Sequence, residues 1–159
     1  MAARLRFAPG AAREVLRANE EWQQLLPDPS WTTTRELPNP LLRPCVTIVA
    51  PGNNRINVRQ SQVRLMVNVW VPKSEVLQDM TPAVEIDPEE HSWDIAALAA
   101  DILDMKSMMG RGPSFEFRGQ TWRGQWINGP ITMVDKERGE ENPLFRSIVE
   151  VVMTITTPQ

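Results

Sequence analysis

The spacing of apolar residues along the chain predicts two amphipathic helices. From residue 11 to residue 26, apolar side chains recur at helical spacing, and Pro27 predicts the end of this helix because proline disfavours helix at the residue before it. A second helix is predicted over residues 93–109, with Ser92 as its N-cap and Gly110 as its C-terminal cap. Stripes of this kind usually pack against a sheet, and we adopt that interpretation for both helices.

Strict alternation and turn residues predict the strands. A short β-branched run over residues 45–50 is closed by a Pro-Gly pair, so we predict a strand that ends in a turn there. Residues 63–70 alternate most clearly, and with the preceding run they predict an antiparallel hairpin. Further strands are predicted over 115–117, 121–127, 131–134 and 144–156, and Asn128-Gly129-Pro130 is interpreted as a break between two of them.

The segments between these elements are rich in proline or in charge. Residues 27–44 hold five prolines, so they are predicted to form an extended connector, with Leu37, Leu41 and Leu42 holding it against a surface. Residues 1–10 are interpreted as an N-terminal arm. Residues 72–90 are predicted to be an acidic surface excursion with one helical turn, and residues 135–143 a long charged loop.

Neighbouring strands with few helices between them favour an α+β domain. We therefore predict an antiparallel or mixed β-sheet with two helices packed on one face, an extended proline-rich connector and long charged loops. The length of 159 residues corresponds to a single domain over 1–159.

Composition narrows the function classes. Hydrophobic residues make up 42% and charged residues 23%, which is ordinary for a globular protein, and the net charge of −3 disfavours broad binding to DNA or anionic lipid. The single cysteine excludes an internal disulfide and a cysteine-based zinc site. No apolar run reaches the ~20 residues of a membrane span, and the N-terminus lacks the apolar stretch of a signal peptide, so we expect synthesis in the cytoplasm and no membrane partner.

The residues suited to catalysis are few. His91 is the only histidine, and we interpret it as a surface neighbour of a helix cap, the alternative being a general base. Cys45 is interpreted as a buried structural thiol instead of a nucleophile. Paired carboxylates such as Glu140 and Glu141 are interpreted as solvated charge, and Gly110-Arg111-Gly112 follows a helix, where the dipole does not favour an anion.

The six tryptophans fall into two groups. Trp22 and Trp93 are predicted to pack in helix cores. The others stand in connector or strand positions, where a protein interface is favoured over a base-stacking surface because the chain is acidic overall. The face of the sheet that carries Met66 and Trp70 is too apolar to be purely solvated, so a partner is expected there.

In its order of segments the sequence resembles the tail terminator proteins (tail completion or head-to-tail joining proteins) of long-tailed bacteriophages. The resemblance rests on the end of the first helix, the entry into the first strands, the alternating strand, the alanine-rich helix and the closing loop and strand. These are residues 22–27, 37–38, 43–48, 63–70, 95–103, 135–143 and 145–152. The segment 72–90 is longer than the corresponding loop of such proteins.

The resemblance implies a structural virion protein with no catalytic residues, metal or cofactor. It implies a homo-hexameric ring that caps the major tail tube protein, stops tube polymerisation and joins the tail to the head-tail connector or stopper protein at the neck of the virion. Under this reading DNA passes through the lumen of the ring.

Two sets of residues are candidates for these contacts. Residues proposed for protein interfaces are Trp31, Leu41, Met66, Trp70, Trp122 and Trp126. Residues proposed for axial contacts or for the lumen are Asp135, Lys136, Glu137, Arg138, Glu140 and Glu141. An acidic lumen would let DNA slide without adhering to the ring.

Other functions stay open on the sequence alone. Another neck component, such as a connector or stopper, is in the same structural class. A small ligand-binding or enzymatic α+β domain would need a pocket with convergent polar groups, and an RNA-binding domain is disfavoured by the charge.

Overall fold

The computed structural model describes residues 5–38, 40–56, 60–80, 85–104, 114–135 and 143–156. These residues form a mixed α+β fold with a six-stranded sheet and four α-helices. In chain order the elements are α1 (Ala8–Ala18), α2 (Glu20–Leu25), β1 (Thr32–Thr33), β2 (Cys45–Arg55), β3 (Gln60–Pro72), α3 (Ser74–Gln78), α4 (Pro88–Leu103), β4 (Phe115–Phe117), β5 (Gln120–Asp135) and β6 (Leu144–Thr156). A short 3-10 helix, Pro29–Trp31, precedes β1.

The sheet is built around a long antiparallel ladder between β3 and β6. Its register runs from Gln60 opposite Thr156 to Pro72 opposite Leu144 without interruption. The strand order is β1-β2-β3-β6-β5-β4, and only β1 and β2 pair in parallel. The predicted hairpin of β2 and β3 is confirmed, and so is the terminal strand over residues 144–156.

Alternation along β3 and β6 divides the sheet into a buried row and a second row. The buried row holds valines, leucines and other apolar side chains that are nearly inaccessible, and a strand places every second side chain on the same face. Its members on these two strands are Val63, Leu65, Val67, Val69, Val71, Val149, Val151, Met153 and Ile155. They belong to one core cluster with residues of α1 and α4.

Helix α4 contacts β3, β5 and β6 through small side chains. Ile95 is buried as predicted, but Leu98 and Ile102 are only partly buried, and the closest face of the helix carries Ala96, Ala99 and other fully buried residues. Alanines let the helix lie close to the sheet. The contact is so close at the C-terminal end that a Cβ atom added at Gly124 of β5 would overlap the carbonyl oxygen of Leu103.

A chain of hydroxyl groups fixes the N-terminal end of α4 on the sheet. Ser92 Oγ donates to the carbonyl oxygen of Glu89 at 2.8 Å, so it accepts from Ser147 Oγ, also at 2.8 Å. Ser147 Oγ in turn accepts from Thr132 Oγ1 at 2.8 Å. Each hydroxyl can donate only one proton, so the chain runs in a single direction from β5 through β6 to α4.

The helix ends differ from those predicted. The N-terminal helix begins at Ala8, inside the predicted arm, and is divided at Asn19, whose side chain accepts a hydrogen bond from the backbone of Trp22 and caps α2. Ser92 is not the N-cap of α4, because the helix begins at Pro88 and Asp87 caps it. An N-terminal proline is compatible with a helix start, since its missing N–H has no intrahelical partner there. The predicted cap at Gly110 lies outside the described residues.

Two predicted breaks are bulges within continuous strands. Strand β2 passes through Pro51-Gly52 with a shift in register between Val49 and Gly52. Strand β5 passes through residues 128–130 with two register shifts and a cis Gly129-Pro130 bond. Proline is tolerated in strands at edges and bulges, so turn residues alone did not distinguish a bulge from a turn.

The segment 72–90, predicted to be an acidic surface excursion, contains regular structure, and its residues 81–84 lie outside the described residues. Its predicted helical turn is confirmed by α3, and Leu77 of this helix is buried in the core. Both ends belong to regular elements, because Pro72 ends β3 and Pro88 begins α4.

The close approach of α4 predicts a strong effect of one added methyl group. We expect Gly124→Ala to lower the free energy of unfolding by about 2 kcal/mol or more, since neither the strand nor the helix backbone can move without disturbing the core. Gly52→Ala is the matched control, because an added Cβ meets nothing within 4 Å there. Equal unfolding free energies for the two variants in denaturant titrations would contradict this packing.

Candidate interaction surface

The second row of side chains forms a face that we call the outer face. It comprises the residues of β2, β3, β5 and β6 that alternate with the buried row. Direct partners across the ladder share this face, for example Val49 with Met66, and Ile131 with Ile148. Val49 and Ile131 remain exposed by 43% and 46%, and Met66 and Ile148 are partly buried. Apolar side chains from four adjacent strands therefore meet solvent together.

A polar network holds part of the outer face rigid. The guanidinium of Arg146 donates through Nε and Nη2 to Asn68 Oδ1, at 3.2 and 2.6 Å, and lies 4.6 Å from the ring centroid of Trp70. The indole N–H of Trp70 donates to Thr47 Oγ1 at 3.1 Å. This network links β2, β3 and β6, so the positions of its side chains are fixed by both stacking and hydrogen bonds.

A small apolar cluster lies at one end of the outer face. Leu41 is buried with Cys45 and Leu144, and Leu37 and Trp70 pack against them. Of the three leucines predicted to hold this segment against a surface, Leu41 is buried in the cluster, Leu37 packs against it, and Leu42 is 60% exposed. As a candidate for contact with a partner, however, Leu41 was wrong: it is only 7% exposed because its partner is this chain's own sheet.

Burial governs the chemistry of the one cysteine. Cys45 is buried, as predicted, and loss of hydration raises the pKa of its thiol to about 11. Since the thiolate is the nucleophilic form, the thiol is unreactive near neutral pH.

The tryptophans are distributed differently from the prediction. Trp22 is buried, as expected, and its indole donates to Thr32 Oγ1 at 2.9 Å. Trp122 is a core residue, 1% exposed and in edge-to-face contact with Phe115, so its assignment to an interface was wrong. Trp93, predicted to be a core residue, is 46% exposed.

Two further tryptophans retain exposed surface. Trp126 is 41% exposed, and its indole N–H points to the carbonyl oxygens of Asn128 and Gly129, both at 3.1 Å, so that it supports the bulge of β5. Trp31 is partly buried beside the core, with the Arg43 guanidinium 4.8 Å from its ring centroid.

The residues proposed for axial or lumenal contacts are only partly described. Asp135 ends β5 opposite Leu144 and is partly buried. The other members of that set, Lys136, Glu137, Arg138, Glu140 and Glu141, lie outside the described residues.

The histidine is not on the surface, contrary to the prediction. His91 lies in the first turns of α4 and is 7% exposed. Burial lowers the pKa of its imidazole, and the nearby carboxylate of Asp94 acts in the opposite direction. The prediction placed His91 before the helix, whereas α4 begins at Pro88 and carries His91 on the same buried side as Ser92 and Ile95.

Chemical features of the described part of the chain are sparse. Within those residues, no three histidine, cysteine or carboxylate side chains are grouped so that they could hold a metal ion. The helices that the structure describes include none long and apolar enough to cross a bilayer. One cleft of about 540 Å³ is lined by Asp87, Glu89, Glu90, Trp93 and Thr132.

Sequence reasoning missed the residues that organise the outer face. Asn68 and Arg146 were placed correctly in alternating strands, but their hydrogen bond depends on the β3–β6 register, which a pattern within one strand does not specify. Residues 131–134 were predicted to be a separate strand, so the sequence did not indicate that Ile131 and Met133 are exposed members of one long strand β5.

Comparisons with known proteins give no assignment: no protein-family model matches this sequence, and no curated protein matches it.

The Arg146 network predicts unequal effects for two arginines on the same face. Arg146→Ala should lower the free energy of unfolding by about 1–2 kcal/mol, because it removes two hydrogen bonds and the stacking on Trp70. Arg64→Ala removes only a more exposed ion pair with Glu150, at 3.3 Å, and should cost no more than about 0.5 kcal/mol. Urea titrations measure both, and equal losses would contradict a rigid network at Arg146.

The buried imidazole predicts a sensitivity to acid. The folded-state pKa of His91 is lowered, so below its ordinary value of 6.5 the unfolded chain binds a proton that the folded chain does not. The stabilising contribution of the neutral imidazole is therefore present above that pH and is lost as the pH falls through it. We expect His91→Gln to lose less stability than the unsubstituted chain between about pH 7.5 and 5.5. Because the chain has no other histidine, identical pH slopes for the two proteins would contradict the lowered pKa.

Proposed function

We propose that this protein is a structural component of a phage virion neck that works as a tail terminator. In this role copies of the chain form a hexameric ring on the tail tube, stop its polymerisation and join it to the head-tail connector or stopper. The protein performs no bond-making chemistry and needs no metal or cofactor. DNA passes through the ring without specific binding.

The observation that carries the proposal is the character of the outer face. Exposed Val49 and Ile131 stand beside Trp70, Asn68 and Arg146, whose geometry is fixed before any partner binds. Protein interfaces combine an apolar centre with aromatic and arginine residues, and a rigid surface loses less entropy on association. The resemblance of the sequence to tail terminators supplies the kind of partner.

The finer arrangement of the fold belongs to the same proposal. We infer that α1 and α4 cover the buried row from one side, and that the proline-rich connector limits the outer face at its Leu41 end. The contacts of both helices with the core cluster support this arrangement. It would leave the outer face as the broad surface available to neighbours in the neck.

Infection in the absence of the protein tests the function. We expect tail tubes of excess and variable length and heads without tails, because nothing would stop polymerisation or complete the joint. Supplying the unsubstituted chain should restore tails of uniform length, with density for a ring at the upper end of each tube in electron micrographs.

Two variants of matched chemistry test the outer face within that experiment. Val49→Asp places a charge among the exposed apolar residues of the face and should fail to restore tails. Leu42→Asp changes an equally apolar and more exposed residue of the connector, 60% accessible, and should restore them. Tails of normal length without the protein, or a monomer that ignores purified tubes, would contradict the proposed function.

A further inference from the structure

Among the residues that the structure describes, strand β5 is unpaired on one side along most of its length. Strand β4 pairs with it only at Gln120–Trp122, whereas β6 pairs with its other side as far as Asp135. Among the described residues no strand covers the outward side of β5 beyond Trp122. Around the bulge this side is partly satisfied, because Asp104 accepts from the backbone of Trp126 at 3.3 Å. The regular stretch after the bulge, Ile131–Val134, is the part that another strand could join.

This open edge is unusually apolar. Nearly half of the exposed large hydrophobic residues of the described chain lie in one nine-residue stretch of β5, residues 126–134. They are Trp126, Ile127, Ile131, Met133 and Val134. Strand edges that stay solvated are normally blunted by charge, proline or a bulge, and Ile131–Val134 carries none of these. Such an edge indicates a strand-pairing partner.

Carboxylates lie beside the same strand, on the side of the sheet that α4 covers. Asp87, Glu89 and Glu90 at the start of α4 line one cleft together with Thr132 of β5. All three carboxylates are exposed. Two β5 edges brought together about a twofold axis would place these groups against their own copies, and like charges oppose such pairing. These carboxylates favour a partner strand that carries cationic side chains.

The opposite edge of the same sheet has that property. Among the described residues β1 is the last strand on that side, and three arginines lie near it. Arg17 and Arg13, both partly buried, donate to the carbonyl oxygen of Thr32 at 2.8 Å and to Thr34 Oγ1 at 3.3 Å, and Arg35, two residues after β1, is exposed.

The sequence separates the charges in the same way, with cationic residues near β1 and acidic residues near the start of α4. Residues 1–64 hold nine arginines and five carboxylates, whereas residues 65–104 hold one lysine and nine carboxylates. The first segment builds α1, β1 and β2, and the second builds most of β3 and all of α4.

We propose that the open edge of β5, at Ile131–Val134 with its acidic cleft, docks the arginine-rich β1 edge of a second copy of this chain. The contact is head-to-tail, so each copy uses one edge to bind its predecessor and the other to bind its successor. Contacts of this kind form a ring when the rotation between copies closes. The inference rests on the proposed function for its closed ring, but the pairing of the two edges stands on the charges and strand order described above.

Cross-linking between copies tests the pairing directly. Thr33→Cys on β1 and Val134→Cys on β5 are combined in the full-length chain and treated with a short bis-maleimide. Cys45 is buried with a raised pKa, so it does not compete. We expect a ladder of covalent oligomers, with yields roughly tenfold above the control pair Thr33→Cys with Glu75→Cys, whose second thiol lies on the exposed side of α3.

A charge exchange provides a second, independent test. Glu90→Arg alone and Arg35→Glu alone should each weaken self-association measured by sedimentation by roughly tenfold, and both substitutions in one chain should restore it. Arg35 is suitable because its contact with Thr33 Oγ1 is made by the backbone and survives the substitution. Glu75→Arg, the same charge change away from the edge, should have no effect.

The outcomes separate this inference from the proposed function. Oligomers cross-linked through 33 and 134 in a protein that ignores tail tubes would retain the edge pairing and contradict the terminator role. Rings on tail tubes in which residues 33 and 134 cross-link no more than the control pair would support the terminator role and contradict the edge pairing. At millimolar protein, control-level cross-linking together with no rescue by the double charge exchange would overturn the edge pairing.

Discussion

The uninterrupted antiparallel ladder between β3 and β6 is the constraint on which the rest of the structure depends. A strand has a side-chain period of two, so a slip of one residue would exchange the buried row with the outer face. The register from Gln60–Thr156 to Pro72–Leu144 places valines and leucines against α4 and sets Asn68 beside Arg146. The core and the candidate interaction surface are thus two consequences of one alignment.

The same ladder leaves the irregular features at the sides of the sheet. Both bulges occur in β2 and β5, the strands that flank the central pair, and each contains a proline. These are the positions at which a missing N–H and an extra residue disturb pairing least. The centre of the sheet is therefore regular, whereas its two edges differ: β5 is apolar and lies beside carboxylates, and β1 lies beside arginines.

Sequence patterns predicted most of the elements and less of the surface. The alternation of residues 63–70 and 144–156 identified the central strands, because burial of one face imposes that pattern. Residues 128–130 were predicted to be a break because asparagine, glycine and proline are common both in turns and in bulges. Only the pairing with β6 shows that the strand continues through them. His91 was assigned to the surface because it was placed before the helix, whereas α4 begins at Pro88 and includes it. Trp93 lies within the predicted helix, but on its exposed side. The outer face was expected from Met66 and Trp70, but its hydrogen bonds depend on contacts between strands far apart in sequence.

The hydroxyl chain under α4 has a direction, and its members are therefore not equivalent. Thr132 only donates, so its loss would leave a single lone pair of Ser147 without a partner. Ser147 both donates and accepts, so its loss would leave the hydroxyl donor of Thr132 and the hydroxyl acceptor of Ser92 without a partner. Substitution of Thr132, at the β5 end of the hydroxyl chain, should therefore be tolerated better than substitution of Ser147 in its middle. During evolution the contact between α4 and the sheet can vary at Thr132 while Ser147 stays fixed.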